Sequence, residues 1–235
     1  MELVAVALAF IAGLSDLVSG SIPLFAKLKE GWARYIIGFA AGSVLGVFFF
    51  EMLGDIDVAH TFLFVALGFF SFYLLSKFVM LHSCHHGECK QKHKAGWVTV
   101  LGMASDNIID GVGIAIGYAM SPFTGVLIAL AVVMHEIPQG ISSGIILKRS
   151  GFKTRAVVGA AAFQGALYPI GAALAGFIPV VMHPAVLAFV AGDFLYIGAS
   201  DLLPDAHEKF NWKVVGCVIL GALIFLLIET FFKAG

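Results

Sequence analysis

Apolar residues in this chain come in long runs, not at alternating or single-faced helical intervals. Eight such runs fall at about 3–25, 35–54, 59–81, 97–120, 123–147, 156–178, 184–204 and 213–233, each bounded by charged or turn-forming residues. A helix needs roughly 20 predominantly apolar residues to cross a bilayer, and a helix that is apolar on all sides belongs in lipid or among other helices. The pattern therefore predicts an all-α integral membrane protein of eight transmembrane helices. Residues 1–235 form a single transmembrane domain in this reading. Composition agrees: 60% of residues are apolar and only 12% charged, against about 25% charged in a soluble domain. Mean hydropathy is +0.98. Eight spans leave only short connections, so a separate soluble domain has no room. A net charge of −1 without basic excess excludes a nucleic-acid binder, and three cysteines (Cys84, Cys89, Cys217) exclude a disulfide framework. The first run has Glu2 where a signal peptide carries lysine or arginine, and it ends at Pro23 before a basic connection. It is expected to be a retained helix.

The basic residues set an orientation. Lys27, Lys29 and Arg34 lie between spans 1 and 2, and Lys77, Lys90, Lys92 and Lys94 at or beyond the end of span 3. Lys148, Arg149, Lys153 and Arg155 join spans 5 and 6, and Lys209 and Lys213 join spans 7 and 8. These alternate connections share one side, and only Lys233 falls opposite. By the positive-inside rule they face the cytoplasm, so both termini face outward. The outer connection between spans 2 and 3 is acidic, with Asp55 and Asp57 beside His60. Compact length and the lack of a targeting peptide fit a prokaryotic inner membrane.

Residues 38–55 and 188–205 align without gaps at an offset of 150. Phe39, Ala41, Gly42, Leu45, Leu53 and Asp55 match Phe189, Ala191, Gly192, Leu195, Leu203 and Asp205, and Glu51 faces Asp201. Span 2 runs outward and span 7 inward, so the repeat is inverted. Inverted repeats mark many secondary transporters, whose substrate sites lie near the midplane at the repeat interface. The expected arrangement is 3+2+3, with repeat halves at about 1–81 and 156–235, central helices at about 97–147, and a cytoplasmic connection at 82–96.

The central spans hold the chemistry. Span 4 reads Asp106-Asn107-Ile108-Ile109-Asp110-Gly111, and span 5 reads His135-Glu136-Ile137-Pro138-Gln139-Gly140. Each places polar groups at i, i+1 and i+4, so i and i+4 share a helix face with i+1 beside them. Three carboxylates at membrane depth would cost about 8–10 kcal/mol if left uncompensated. Neither span offers a lysine or arginine to offset them, but a divalent cation would. The alternative is a protonated carboxyl cluster closed by helix–helix hydrogen bonds. Carboxylates, amides and one imidazole suit Zn²⁺, Fe²⁺ or Mn²⁺, and the lack of thiolate disfavours Cu⁺. Pro138 and the two glycines suggest a locally opened backbone beside a polar cavity. An intramembrane metalloprotease would need a second histidine four residues after His135, and that position is Gln139.

The polar-Asn-x-x-acidic-Gly motif at 106–111, His-Glu-x-Pro-x-Gly at 135–140 and the span 7 ending Asp201-Leu202-Leu203-Pro204-Asp205 together resemble the ZIP (Zrt/Irt-like protein) family of divalent metal transporters. The resemblance covers essentially the whole chain. It implies a transporter, not an enzyme, that moves Zn²⁺, Fe²⁺, Mn²⁺ or a similar ion toward the cytoplasm by alternating access. The ion is substrate, and no cofactor is expected. A homodimer and an elevator-like movement of one helix bundle are also implied, as is a metal site formed by Asp106, Asn107, Asp110, His135, Glu136 and Gln139. The family usually has histidine where Asp106 stands, and a glutamate that helps bind a second metal is here Tyr168, before Pro169. Asp106 hardens the site, while Gln139 and Tyr168 remove charge. The expectation is one tightly held ion, with Fe²⁺ or Mn²⁺ favoured relative to zinc-specialised relatives.

Secondary candidates are a cytoplasmic His/Cys set (His82, Cys84, His85, His86, Cys89, His93), suited to zinc as a weak receiving or sensing site, and entrance or exit acids Glu51, Asp201 and Asp205. Asp16, Asp193 and Glu229 lie deep in their spans with no role assigned. A membrane metal sensor that binds without transporting is the competing reading, and an intramembrane metallohydrolase a poorer one.

Overall fold

Within hydrocarbon every backbone N–H and C=O must find a partner inside the protein, and a helix supplies these bonds locally. The computed structural model describes residues 3–26, 30–82 and 92–233. It contains α1 (Leu3–Phe25), α3 (Val58–His82), α4 (Lys92–Met120), α5 (Pro122–Arg149), α6 (Thr154–Ala175) and α8 (Trp212–Lys233) as single α-helices. The helix between α1 and α3, α2 (Glu30–Gly46), runs on through a π segment at Val47–Met52 and a last turn at Leu53–Asp55. Before α8, α7 (His183–Tyr196) continues through a π segment at Ile197–Leu202 into Leu203–Ala206. Among the described residues, eight helices are long and apolar enough to cross a membrane, and the predicted runs coincide with them.

Local sequence explains the boundaries. Ser121 caps α5, its hydroxyl accepting from the Thr124 amide at 3.4 Å, with Pro122 at the first helical position. Lys148 and Arg149 close the same helix, and Lys148 Nζ donates to the Pro23 carbonyl at 2.8 Å, tying the ends of α5 and α1. The turn into α6 uses Gly151 at φ +83°, a conformation costly for other residues. Arg34 donates to the Ala206 carbonyl at 3.0 and 3.1 Å, so the start of α2 holds the end of α7.

Packing divides the helices into two four-helix bundles. In one, α1 packs on α5 and α6, and α4 packs on α6 and α5; in the other, α2 pairs with α8 and α3 with α7. The bundles meet chiefly where α2 crosses α5 and where α4 meets α7 and α3. The sequence halves therefore interleave: each bundle draws helices from both. Small residues bring backbones together, as expected where lipid supplies no hydrophobic drive. A Cβ on Gly13 would stand 2.0 Å from the Gly165 carbonyl oxygen, joining α1 to α6, and one on Gly42 would stand 1.9 Å from Val218 O, joining α2 to α8. The faces of α3 and α8 away from the bundles are apolar and exposed, with Phe62, Phe70, Leu74, Leu223 and Leu227 pointing outward toward lipid.

The two π segments, Val47–Met52 and Ile197–Leu202, are themselves 150 residues apart, the offset of the aligned sequences. Each carries one acid, Glu51 and Asp201. Extra-wide turns of this kind concentrate at functional positions.

Candidate metal centre

The motifs on α4 and α5 face one another inside the first bundle. Asp106 and Asp110 lie one turn apart on α4, and His135 and Glu136 are adjacent on α5. One donor atom from each of the four lies within 4.8 Å of all the others. His135 Nε2 stands 3.2 Å from Asp110 Oδ2 and 3.3 Å from Glu136 Oε1. Asp110, His135 and Glu136 are fully buried, and Asp106 is 8% exposed. Asp106 Oδ1, Asp110 Oδ1 and both Glu136 oxygens accept no hydrogen bond from the described residues. Buried polar atoms are rarely left so. Between Lys94 and Lys148 the sequence has no lysine or arginine. Three carboxylates with open lone pairs and one imidazole form a donor set for a hard-to-borderline dication.

Asn107 is buried beside them. Its Nδ2 donates to Asp16 Oδ2 on α1 at 3.3 Å, which leaves its Oδ1 without a hydrogen bond. The amide thus sets its nitrogen toward α1 and leaves its oxygen free as a donor. Gln139 is half-buried one turn after His135 and lines a cavity with Asp106. Tyr168 on α6 is fully buried. Its hydroxyl lies beside Glu136 without closing a hydrogen bond.

That cavity, about 260 Å³, leads away from Asp106 past Gln139, Ser142 and Asp201 to the exposed Asp205. It runs between the bundles toward the helix ends that bear the basic connections. On the other side of the quartet Ile114, Ile128, Val132, Leu187 and Val190 are fully buried in one packed apolar cluster. Glu51, the repeat mate of Asp201, is buried at 1% exposure on this closed side and accepts a hydrogen bond from Thr124 Oγ1 at 2.6 Å. Asp201 and Asp205 thus line an open path in this arrangement, and Glu51 does not.

One expectation is corrected. The backbone is not opened at the motifs: α4 passes through Gly111 and α5 through Pro138 and Gly140 as continuous helix. The glycines serve contact instead. A Cβ on Gly111 would stand 2.1 Å from the Tyr168 carbonyl oxygen, and one on Gly140 would stand 2.1 Å from Ser19 Oγ. Ser19 Oγ in turn donates to the Glu136 carbonyl at 3.2 Å. The Cys84, His85, His86 and Cys89 candidates lie outside the described residues, as do the side chains of His82 and His93.

Sequence reasoning left Asp16 and Asp193 without a role, and both converge on this centre. Asp16 is 1% exposed and reaches Asn107 and the vicinity of Glu136 from α1. Asp193 is fully buried and reaches Asp106 from α7. The available signal was the cost of an acid deep in a span, but the partner helix is not written in the sequence.

A family model described as ZIP zinc transporter matches residues 80–229. Among curated proteins, the chain is 27% identical over 225 residues to zinc transporter ZIP13 of Pongo abelii, covering 84% of this chain and 67% of that one. It is 31% identical over 152 residues to the zinc transporter ZIP13 homolog of Drosophila melanogaster, covering 60% of this chain and 43% of that protein. It is 27% identical over 121 residues to the metal cation symporter ZIP8 of Rattus norvegicus, covering 51% and 26%. The chain thus spans two thirds of the length of the first relative and less than half of the other two.

Proposed function

The chain belongs to the ZIP zinc transporter family, and we propose that it moves a divalent transition-metal cation across the bilayer toward the cytoplasm by alternating access. The observation that carries this reading is the buried quartet Asp106, Asp110, His135 and Glu136, rich in open carboxylate oxygens, in a stretch with no lysine or arginine between Lys94 and Lys148. The resemblance to zinc transporters and to a metal cation symporter supports the same substrate class.

In this cycle a hydrated dication enters from the outer face, drawn by the acidic connection between α2 and α3, and trades water for the quartet. Asn107 Oδ1 and Gln139 act as weaker oxygen donors. The four ligands sit in the α1/α4/α5/α6 bundle, and the cavity along Asp201 and Asp205 serves as the exit toward the basic connections. The two-bundle packing supports an elevator-like slide of the ligand-bearing bundle against α2, α3, α7 and α8. The matching π segments at Glu51 and Asp201 support inverted repeat halves, with the outer side closed and the inner side open here. With one 2+ ion against three carboxylates, a proton on one of them would complete the balance.

One tightly held ion is proposed, because Tyr168 stands where a second site would need a carboxylate. Asp106 favours Fe²⁺ or Mn²⁺ more than in zinc-specialised relatives. The His/Cys connection would act as a receiving or sensing site, and the protein would work without a cofactor and as a homodimer. Charge asymmetry supports outward termini. The relatives come from animals and lend no support to a prokaryotic membrane.

Flux separates a transporter from a sensor. Proteoliposomes holding the purified chain and a trapped fluorescent chelator should admit Zn²⁺, Fe²⁺ and Mn²⁺ faster than empty vesicles do. Tight binding of these ions to the protein with no flux above empty vesicles would replace transport by sensing.

A further inference from the structure

We propose that Asp193 is a further ligand-facing carboxylate for the transported dication, supplied by the opposite bundle and engaged only in the bundle arrangement seen here. This rests on the reading of the quartet as the cation site. Asp193 is fully buried, and neither of its oxygens has a hydrogen-bond partner among the described residues. Its charged neighbours are Asp106, Asp110 and His135, with Asp106 in side-chain contact range. The next residue, Phe194, sets its ring edge-on to His135 with centroids 5.8 Å apart. So α7 meets the ligands on both α4 and α5.

A buried, unpartnered carboxylate beside two others is strongly unfavourable unless positive charge joins them. The repeat shows that the fold does not require it. At the equivalent place on α2 stands Ser43, whose hydroxyl is satisfied by the Phe39 carbonyl at 2.9 Å. At this position an acid is thus present on only one of the two related helices, and it is the one that faces the quartet. Asp106, Asp110, His135 and Glu136 travel together on one bundle, whereas Asp193 belongs to the other. Any slide between the bundles parts Asp193 from the ion. The contact therefore makes ion affinity depend on bundle position, holding the ion most tightly before release and less once the bundles part.

The test is zinc binding to the purified full chain in detergent, by isothermal titration, for wild type, Asp193→Asn and Asp193→Ser. Removing one metal-facing group should weaken the zinc Kd about 10- to 100-fold and move the visible bands of the Co²⁺-loaded protein. The melting point in chelator should stay level or rise. A Kd within twofold of wild type with unchanged Co²⁺ bands overturns the proposal. So does a weakened Kd accompanied by a lower metal-free melting point in both variants, which is the mark of a packing role. Absence of zinc binding in the wild type would instead overturn the reading of the quartet itself. Wild-type binding that is matched by both variants overturns only the role of Asp193.

Discussion

Replacing Asp106 with asparagine should stabilise the metal-free protein and weaken its response to metal. Asp106 is 8% exposed, its Oδ1 accepts no hydrogen bond, and Asp110 and Glu136 surround it with like charge. An acid at membrane depth costs about 2.5–3.5 kcal/mol, and an amide carries no such charge penalty. Asp110 provides the contrast. Its Oδ2 meets His135 Nε2 at 3.2 Å, and a hydrogen bond to a charged group contributes about 1.5–3 kcal/mol. Asp110→Asn therefore loses nearly what it gains, whereas Asp106→Asn gains up to about 3 kcal/mol. For a chain of this size each kcal/mol moves the melting point by roughly 2–4 °C, so Asp106→Asn in chelator should melt as much as about 6–12 °C above wild type. Zinc at 100 times its Kd stabilises wild type by about 2.7 kcal/mol, a rise of roughly 5–11 °C, and the same zinc concentration should raise the variant much less. Thermal melts in detergent, with and without chelator, read both numbers. An Asp106→Asn protein that melts below wild type in chelator, and gains as much from zinc, would refute the reasoning.

Two further predictions follow from the packing. Gly111→Ala should destabilise by about 1–3 kcal/mol, the usual cost of overpacking, because its Cβ would meet the Tyr168 backbone at 2.1 Å; Gly159→Ala, with nothing within 4 Å, should be neutral or slightly stabilising. Comparative melts check the pair, and equal effects would contradict the close α4–α6 approach. A Cβ on Gly113 would fall 3.6 Å from Val190 Cβ across the α4–α7 contact, within the roughly 3.5–4.5 Å that a disulfide spans. With Cys84, Cys89 and Cys217 changed to serine, Gly113→Cys combined with Val190→Cys should stop uptake when oxidised and recover it with reductant. Full uptake by the cross-linked chain would rule out a slide at this contact.

The spans were legible because charge and turn residues punctuate the apolar runs, and α1 to α8 follow those runs closely. The central motifs were legible because i and i+4 spacing stacks Asp106 on Asp110 and His135 on Gln139 whatever the surroundings. What the sequence concealed was the partner of each helix. A run such as 213–233 is apolar all round, so nothing in it says which side meets α2 and which meets lipid. The bundle assignment was hidden for that reason, and with it the convergence of Asp16 and Asp193 on the quartet. Gly111 and Gly140 misled in the same way. A glycine after a polar motif fits a loosened backbone or a close neighbour equally well, and only the positions of Tyr168 and Ser19 decide between them.

Whether the buried quartet carries the ion across the bilayer is decided by zinc flux into proteoliposomes, wild type against Asp110→Ala at equal incorporation. Wild type should show saturable uptake, and the variant flux indistinguishable from empty vesicles. Equal flux through both proteins, or none through either, would contradict that role of the quartet.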